Sequence, residues 1–109
     1  MKSYNIADLR HRLELEAPEL TPDTGGGTSI TWIKEADVWG LIEPLRGQEQ
    51  FKEHQTETIV THTIIIRHRE GVLPEKRLRK GQRLFEIIAV INEKERNHWL
   101  KLECKEQET

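Results

Sequence analysis

The apolar residues of this sequence come in short runs that alternate every second position, and no stretch sustains the three-and-four spacing of a long amphipathic helix. From Arg12 to Ala17 the chain reads Arg-Leu-Glu-Leu-Glu-Ala, which predicts a strand with Leu13, Leu15 and Ala17 on one face and Glu14 and Glu16 outward. Near the other end, Trp99 to Cys104 puts Leu100, Leu102 and Cys104 on one side, opposite Trp99. Such runs, punctuated by Gly and Pro, constrain the chain to an all-β architecture.

Between these two strands the same reasoning predicts others. Ile30 to Lys34 is a strand, and Glu35 to Glu43 a longer one, with Ala36, Val38, Gly40 and Ile42 sharing a face. Gly40 inside a strand predicts a bulge or tight bend there. Ile59 to Arg69 carries the strongest strand signal, through Val60, Ile64, Ile65 and Ile66. Arg77 to Arg79 is short and polar, as an edge strand would be. Leu84 to Ile91 is apolar on both faces, as a central buried strand would be.

The connections follow from the breakers. Pro18 to Ser29, with two prolines and Gly25-Gly26-Gly27, reads as a flexible loop. Gly71, Pro74 and Gly81 mark turns, and Asn92 to Arg96 a charged one. Asp8 is placed to cap a single helical turn near the start. Leu45 to Thr58 breaks the pattern: it is polar, with Phe51 as its one aromatic, and long for a connection in a compact barrel. It has room for one or two helical turns, and long loops in compact domains are often functional. The expectation is a single all-β domain over residues 1–109, a small β-barrel or sandwich of six to seven strands.

Composition narrows the function. The net charge is −2, with 33% charged and 35% hydrophobic residues. Tight nucleic-acid binders need Lys or Arg at each phosphate, so the chain as a whole does not fit that class. Cys104 is the only cysteine, so no intrachain disulfide forms. No run reaches the roughly 20 apolar residues of a membrane span, and Met1 to Asp8 lacks the apolar core of a signal peptide. The expected site of synthesis is the cytoplasm.

No motif carries catalysis. Gly25-Gly26-Gly27 lacks the Lys-Ser or Lys-Thr and the helix that a phosphate-binding loop requires. His11, His54, His62, His68 and His98 are scattered; His62 and His68, on one strand face, would lie about 20 Å apart, too far to share a metal. Cys104 reads as a half-buried structural thiol, and Glu14 and Glu16 as a solvated surface. No catalytic residue, metal site or cofactor is expected. The basic residues Arg67, His68 and Arg69, and Lys76, Arg77, Arg79 and Lys80, read either as charges guarding a sheet edge or as an interface. Such charge asymmetry suits head-to-tail packing of identical subunits. Trp39 and Trp99 either fill the core or anchor an interface, with core expected for at least one.

Taken in order, several segments resemble the head–tail joining family of tailed bacteriophages, the small head-closure or stopper proteins. They are Leu9-Arg10-His11-Arg12, the Gly-rich loop followed by Thr31-Trp32, and Val38-Trp39-Gly40-Leu41-Ile42-Glu43-Pro44-Leu45-Arg46-Gly47. Thr61-His62 leading to Ile66-Arg67, Phe85-Glu86-Ile87, Val90-Ile91-Asn92, Glu95-Arg96-Asn97 and Leu100-Lys101-Leu102-Glu103-Cys104 complete the series. The acidic tail after Cys104 departs from the pattern. The resemblance implies a β-barrel assembling as a ring of six or twelve copies in a phage or gene transfer agent virion. The ring would lie below the portal and its adaptor ring, close the DNA exit and offer a docking surface to the tail terminator or tail tube.

By position, the family's channel loop maps to Gly47, Gln48, Glu49, Gln50, Phe51, Lys52, Glu53, His54, Gln55 and Thr56, running on to about Thr58. It would touch packaged double-stranded DNA transiently, and its mixed charge avoids strong phosphate binding. The ring and adaptor interface is expected at Arg67, Arg69, Arg77, Arg79 and Lys80. Two alternatives stand beside this reading. One is a small nucleic-acid-binding barrel of the OB type, with Trp39 and Trp99 as stacking platforms. The other is a different ring-forming virion protein such as a tail terminator.

Overall fold

A computed structural model describes residues 4–45 and 59–107. Among them the alternating runs form six antiparallel strands: β1 (His11–Pro22), β2 (Thr28–Pro44), β3 (His62–Arg67), β4 (Arg77–Lys80), β5 (Arg83–Asn92) and β6 (Trp99–Glu106). They pair in the order β1-β2-β3-β6-β5-β4 and close into a barrel. Closure is made by β4 against β1, through Glu14 with Arg79, Leu15 with Leu78 and Glu16 with Arg77.

The barrel interior collects the predicted apolar faces: Leu13, Leu15, Val38, Ile64, Ile66, Leu78, Phe85, Ile87, Leu100, Leu102 and Cys104, with Ile42 and Val90 packed against them. Strand β3 is buried on both faces, since Thr63 and Ile65 are covered as well. Strand β5 is central in the pairing, but Ile91 is exposed and only Phe85 and Ile87 are fully buried, so its burial is partial.

Several expectations are corrected. β1 does not stop at Ala17 but runs through Pro18 to Pro22, and β2 is one strand rather than two. Past the barrel the two strands pair only with each other and form a hairpin arm, which draws the molecule out to 53 × 31 × 26 Å. An arm strand has a neighbour on one side only, so it tolerates residues without an N–H.

The Gly-rich stretch is a built turn. Oδ1 of Asp23 accepts from the amides of Gly25 at 2.9 Å and Gly27 at 3.0 Å. Gly26 takes the left-handed φ of +86° that its lack of a Cβ permits.

Gly40 is not bulged. The register break falls between Leu15 and Glu16 on β1, where Ala36 and Lys34 are their partners and Glu35 is the extra residue. Gly40 is required by packing: a Cβ there would lie 2.9 Å from Leu13 Cδ1 and 3.3 Å from the Ile65 carbonyl oxygen. The N-terminal turn, Ile6–Asp8, is a single 3-10 turn capped by Asn5, with Asp8 closing the capping box rather than starting it. The charged turn after β5 contains a 3-10 turn, Glu93–Glu95.

Candidate functional site

The basic residues, expected as one set, divide into two. On the outer face of the barrel, closure sets β4 beside β1, and Arg77 Nε donates to Glu16 Oε1 at 2.6 Å while Arg79 Nε donates to Oε2 at 2.9 Å. Trp32, from the root of the arm, covers the Arg77 guanidinium at 4.0 Å from its ring centroid. Burial alone would raise the Glu16 pKa, but the two arginine hydrogen bonds and their charges outweigh it and hold the carboxyl below its ordinary range.

Glu16 is therefore not a solvated surface residue: it is 6% exposed, and Arg77 is 8% exposed. Nor is β4 an edge strand, because it is paired on both sides. Through Glu16, Arg77 and Arg79 tie the side chains of β4 to β1. Beside them Lys76 bridges Glu35 at 2.7 Å, across the bulge.

Arg67 and Arg69 are different. Both are exposed at the end of β3 and beyond, and neither has an ion pair among the described residues. Two grooves flank Arg67 and His68. One, of about 470 Å³, is lined also by Ile6, Asn97, His98 and Trp99. The other, of about 180 Å³, lies against Asp37, Val38, Trp39, Ile66 and Arg69. Asp37 in the second groove is already engaged by Lys34 at 3.0 Å and Arg12 at 3.1 Å. Hydrogen bonds from those two side chains hold its carboxyl below the usual range.

The tryptophans also depart from expectation, because none lies in the core. Trp39 is 55% exposed, and Trp99 is half-buried with Tyr4 packed edge-on at 5.9 Å. An aromatic and basic surface thus forms around Arg67 from the middle of β2, the end of β3 and the start of β6.

At the opposite end of β3, a polar network links Thr61, His62, Arg83 and Glu106. Arg83 grips Glu106 through two hydrogen bonds of 2.8 and 3.1 Å. Glu106 lies 3.6 Å from His62 Nε2, and Thr61 Oγ1 is 2.9 Å from His62 Nδ1. Burial pushes the His62 pKa down, against the opposing pull of Glu106 and with a further push from Arg83. Cys104 is fully buried, more so than expected, and burial raises its thiol pKa far above the ordinary value, which removes it as a nucleophile. Among the described residues no group of His, Cys, Asp or Glu is arranged to hold a metal, and no helix is long and apolar enough to cross a membrane. The proposed channel loop, Gly47 to Thr56, lies outside the described residues.

A family model of phage head completion proteins matches residues 4–107. The chain belongs to that family. The head completion protein is also similar to a chain from the virion of a native gene transfer agent particle. That chain is 25% identical, with a TM-score of 0.69, and the match covers 93% of this chain and 96% of the other. The solution structure of protein SF1141 from Shigella flexneri 2a shares the fold, with a TM-score of 0.71 at 24% identity over 94% of this chain and 96% of that one. No curated protein matches significantly. Membership makes this head completion protein a structural component of a phage or gene transfer agent virion and not an enzyme.

Sequence reasoning grouped Arg67, Arg69, Arg77, Arg79 and Lys80 as one interface and missed that Arg77 and Arg79 hydrogen-bond Glu16. The signal that pairs them with Glu16 is a strand closure 61 and 63 residues away in sequence, which periodicity does not carry. The arm and its partnership of Trp32 with Arg77 were hidden by the two prolines.

Proposed function

We propose that this head completion protein forms a ring of identical subunits at the head–tail joint, below the portal and its adaptor. The ring closes the DNA exit after packaging and offers the tail its docking surface. The observation that carries this reading is the family match along residues 4–107, joined by the likeness to a chain of a gene transfer agent virion.

The geometry is consistent with a building block of this kind. Within the barrel the strands pair around a closed ring, so free sheet edges are confined to the arm. The arm and the Trp39–Arg67–Trp99 face are two exposed surfaces at separate places from which specific contacts can be built. Many weak contacts repeated around a ring add up to a stable closure. In this reading the segment Gly47 to Thr58, which joins β2 to β3, enters the channel, where its mixed charge keeps DNA from sticking.

Electron microscopy of particles made without this gene tests the proposal. The expected result is heads that have lost DNA together with separate, unattached tails. Intact tailed particles full of DNA would remove it.

A further inference from the structure

The hairpin arm has two unlike faces. Register places Pro18 opposite Trp32, Leu20 opposite Ile30 and Pro22 opposite Thr28, all on one face. On the other face Thr21 and Ser29 share a hydrogen bond of 3.2 Å, beside Glu19 and Thr31, and the exposed Ile33 lies opposite Ala17 nearer the barrel. The first face is an apolar stripe left in water: Leu20 is 67% and Ile30 56% exposed. An isolated two-stranded hairpin is marginal on its own, yet this one is braced at its root by Trp32 on Arg77 and by Lys76 on Glu35. The tip is thus held out at a set angle with its apolar side uncovered.

Two features identify what covers it. The arm is acidic: Glu19 and Asp23 are its charges between Ala17 and Ile33, and no Lys or Arg lies in that stretch. The surface around Arg67 has the opposite character, with exposed Trp39, Arg67 and Arg69, and His98 beside Trp99. The two complement each other in charge and in apolar content. They cannot meet within one chain: Ile30 and Trp39 are nine residues apart on the same strand, which holds them about 30 Å from each other.

We infer that the arm of one copy docks its Leu20–Ile30 stripe into the Trp39–Arg67–Trp99 grooves of the next copy. Glu19, on the arm's other face, and Asp23, at its tip, give the arm the net negative charge that draws it toward Arg67 and Arg69. The contact joins two different surfaces, so it repeats head to tail and closes only as a ring. It presupposes the ring proposed above and names the surfaces that build it.

Disulfide trapping in assembled particles tests this contact, because a disulfide requires Cα atoms within about 7 Å. The full chain carries Ile30→Cys together with Trp39→Cys, Arg67→Cys or His98→Cys, all at exposed positions, and purified particles are oxidised. Leu20→Cys replaces Ile30→Cys if the latter does not assemble. Native Cys104 is fully buried, with its thiol held protonated by burial, and stays out of the exchange.

The expected result is a ladder of covalent multimers extending past the dimer for at least one pairing, and none for any single variant. No ladder from any pairing overturns the contact. So does a dimer formed by the arm variant alone, which would mean arm against arm, or a crosslink only to a different virion protein. Microscopy of the same particles separates the two levels. A ring of this chain at the joint without a ladder keeps the ring and removes the contact, and no ring at the joint removes both.

Discussion

Glu16 makes its two arginine hydrogen bonds on the barrel wall, where it is almost wholly covered. Removing it leaves Arg77 under Trp32 with no counter-charge, and an uncompensated buried charge is what makes such losses large. Glu16→Ala is expected to cost about 2–3 kcal/mol, below the range for deep ion pairs because Arg79 can turn to solvent. Urea unfolding measures it.

His62 gives a pH dependence of opposite origin. Its folded pKa lies below the ordinary 6.5, chiefly through burial, so the folded state favours the neutral ring. The stability it contributes is fully present above 6.5 and is lost as pH falls from there through the lower folded pKa. His62→Gln is expected to flatten the stability profile below neutral pH, leaving the acid limb that Glu16 and Glu106 add at lower pH. Their folded pKa values are depressed, so their contribution fades only as pH falls through the carboxylate range. Thermal melts at a series of pH values for the two chains check this.

Element boundaries show what alternation can and cannot convey. The inward faces of β3 and β6, and the first half of β1, were legible because each residue on those faces is buried by its own strand's pleat. The arm was not legible, because Pro18 and Pro22 signal a break wherever a strand has neighbours on both sides, and here it does not. Glu35, the bulged residue, shifts the phase of β2 and ties to Lys76 of a distant turn, so no local pattern announces it.

The arm and the barrel are expected to be separable in stability. Joining Pro18 to Trp32 through an Asn-Gly turn, which suits a two-residue hairpin, removes the tip while retaining Trp32 over Arg77. Circular-dichroism melting is expected to remain cooperative and within a few degrees of the native chain. Complementation with this gene is expected to yield no infectious or DNA-transferring particles. A large loss of melting temperature would mean that the arm is part of the barrel's own stability.

At the scale of the whole molecule, the role proposed for this protein requires it to hold a channel shut and later let DNA through. The barrel is tied together by its closed sheet and by Arg77 and Arg79 on Glu16. The channel side of the proposal would rest on Gly47 to Thr58, which periodicity could only mark as unlike a strand. The sequence there carries three acids, Glu49, Glu53 and Glu57, against one lysine, Lys52, and is free of any basic cluster. Phosphate contacts gain affinity with every added cation, and each neutralised phosphate releases counterions, so the gain is steep in low salt. Glu49→Lys with Glu53→Lys changes two charges by two units each, four per subunit, and the ring multiplies the change. Particles carrying both substitutions are expected to assemble and retain DNA but to release it more slowly, with the delay shrinking as salt is raised. Time-resolved DNA release from purified particles at two salt concentrations measures this. Release at the native rate in both would mean that the segment does not meet DNA in the channel. A delay that ignores salt would place the effect in assembly rather than in phosphate contact.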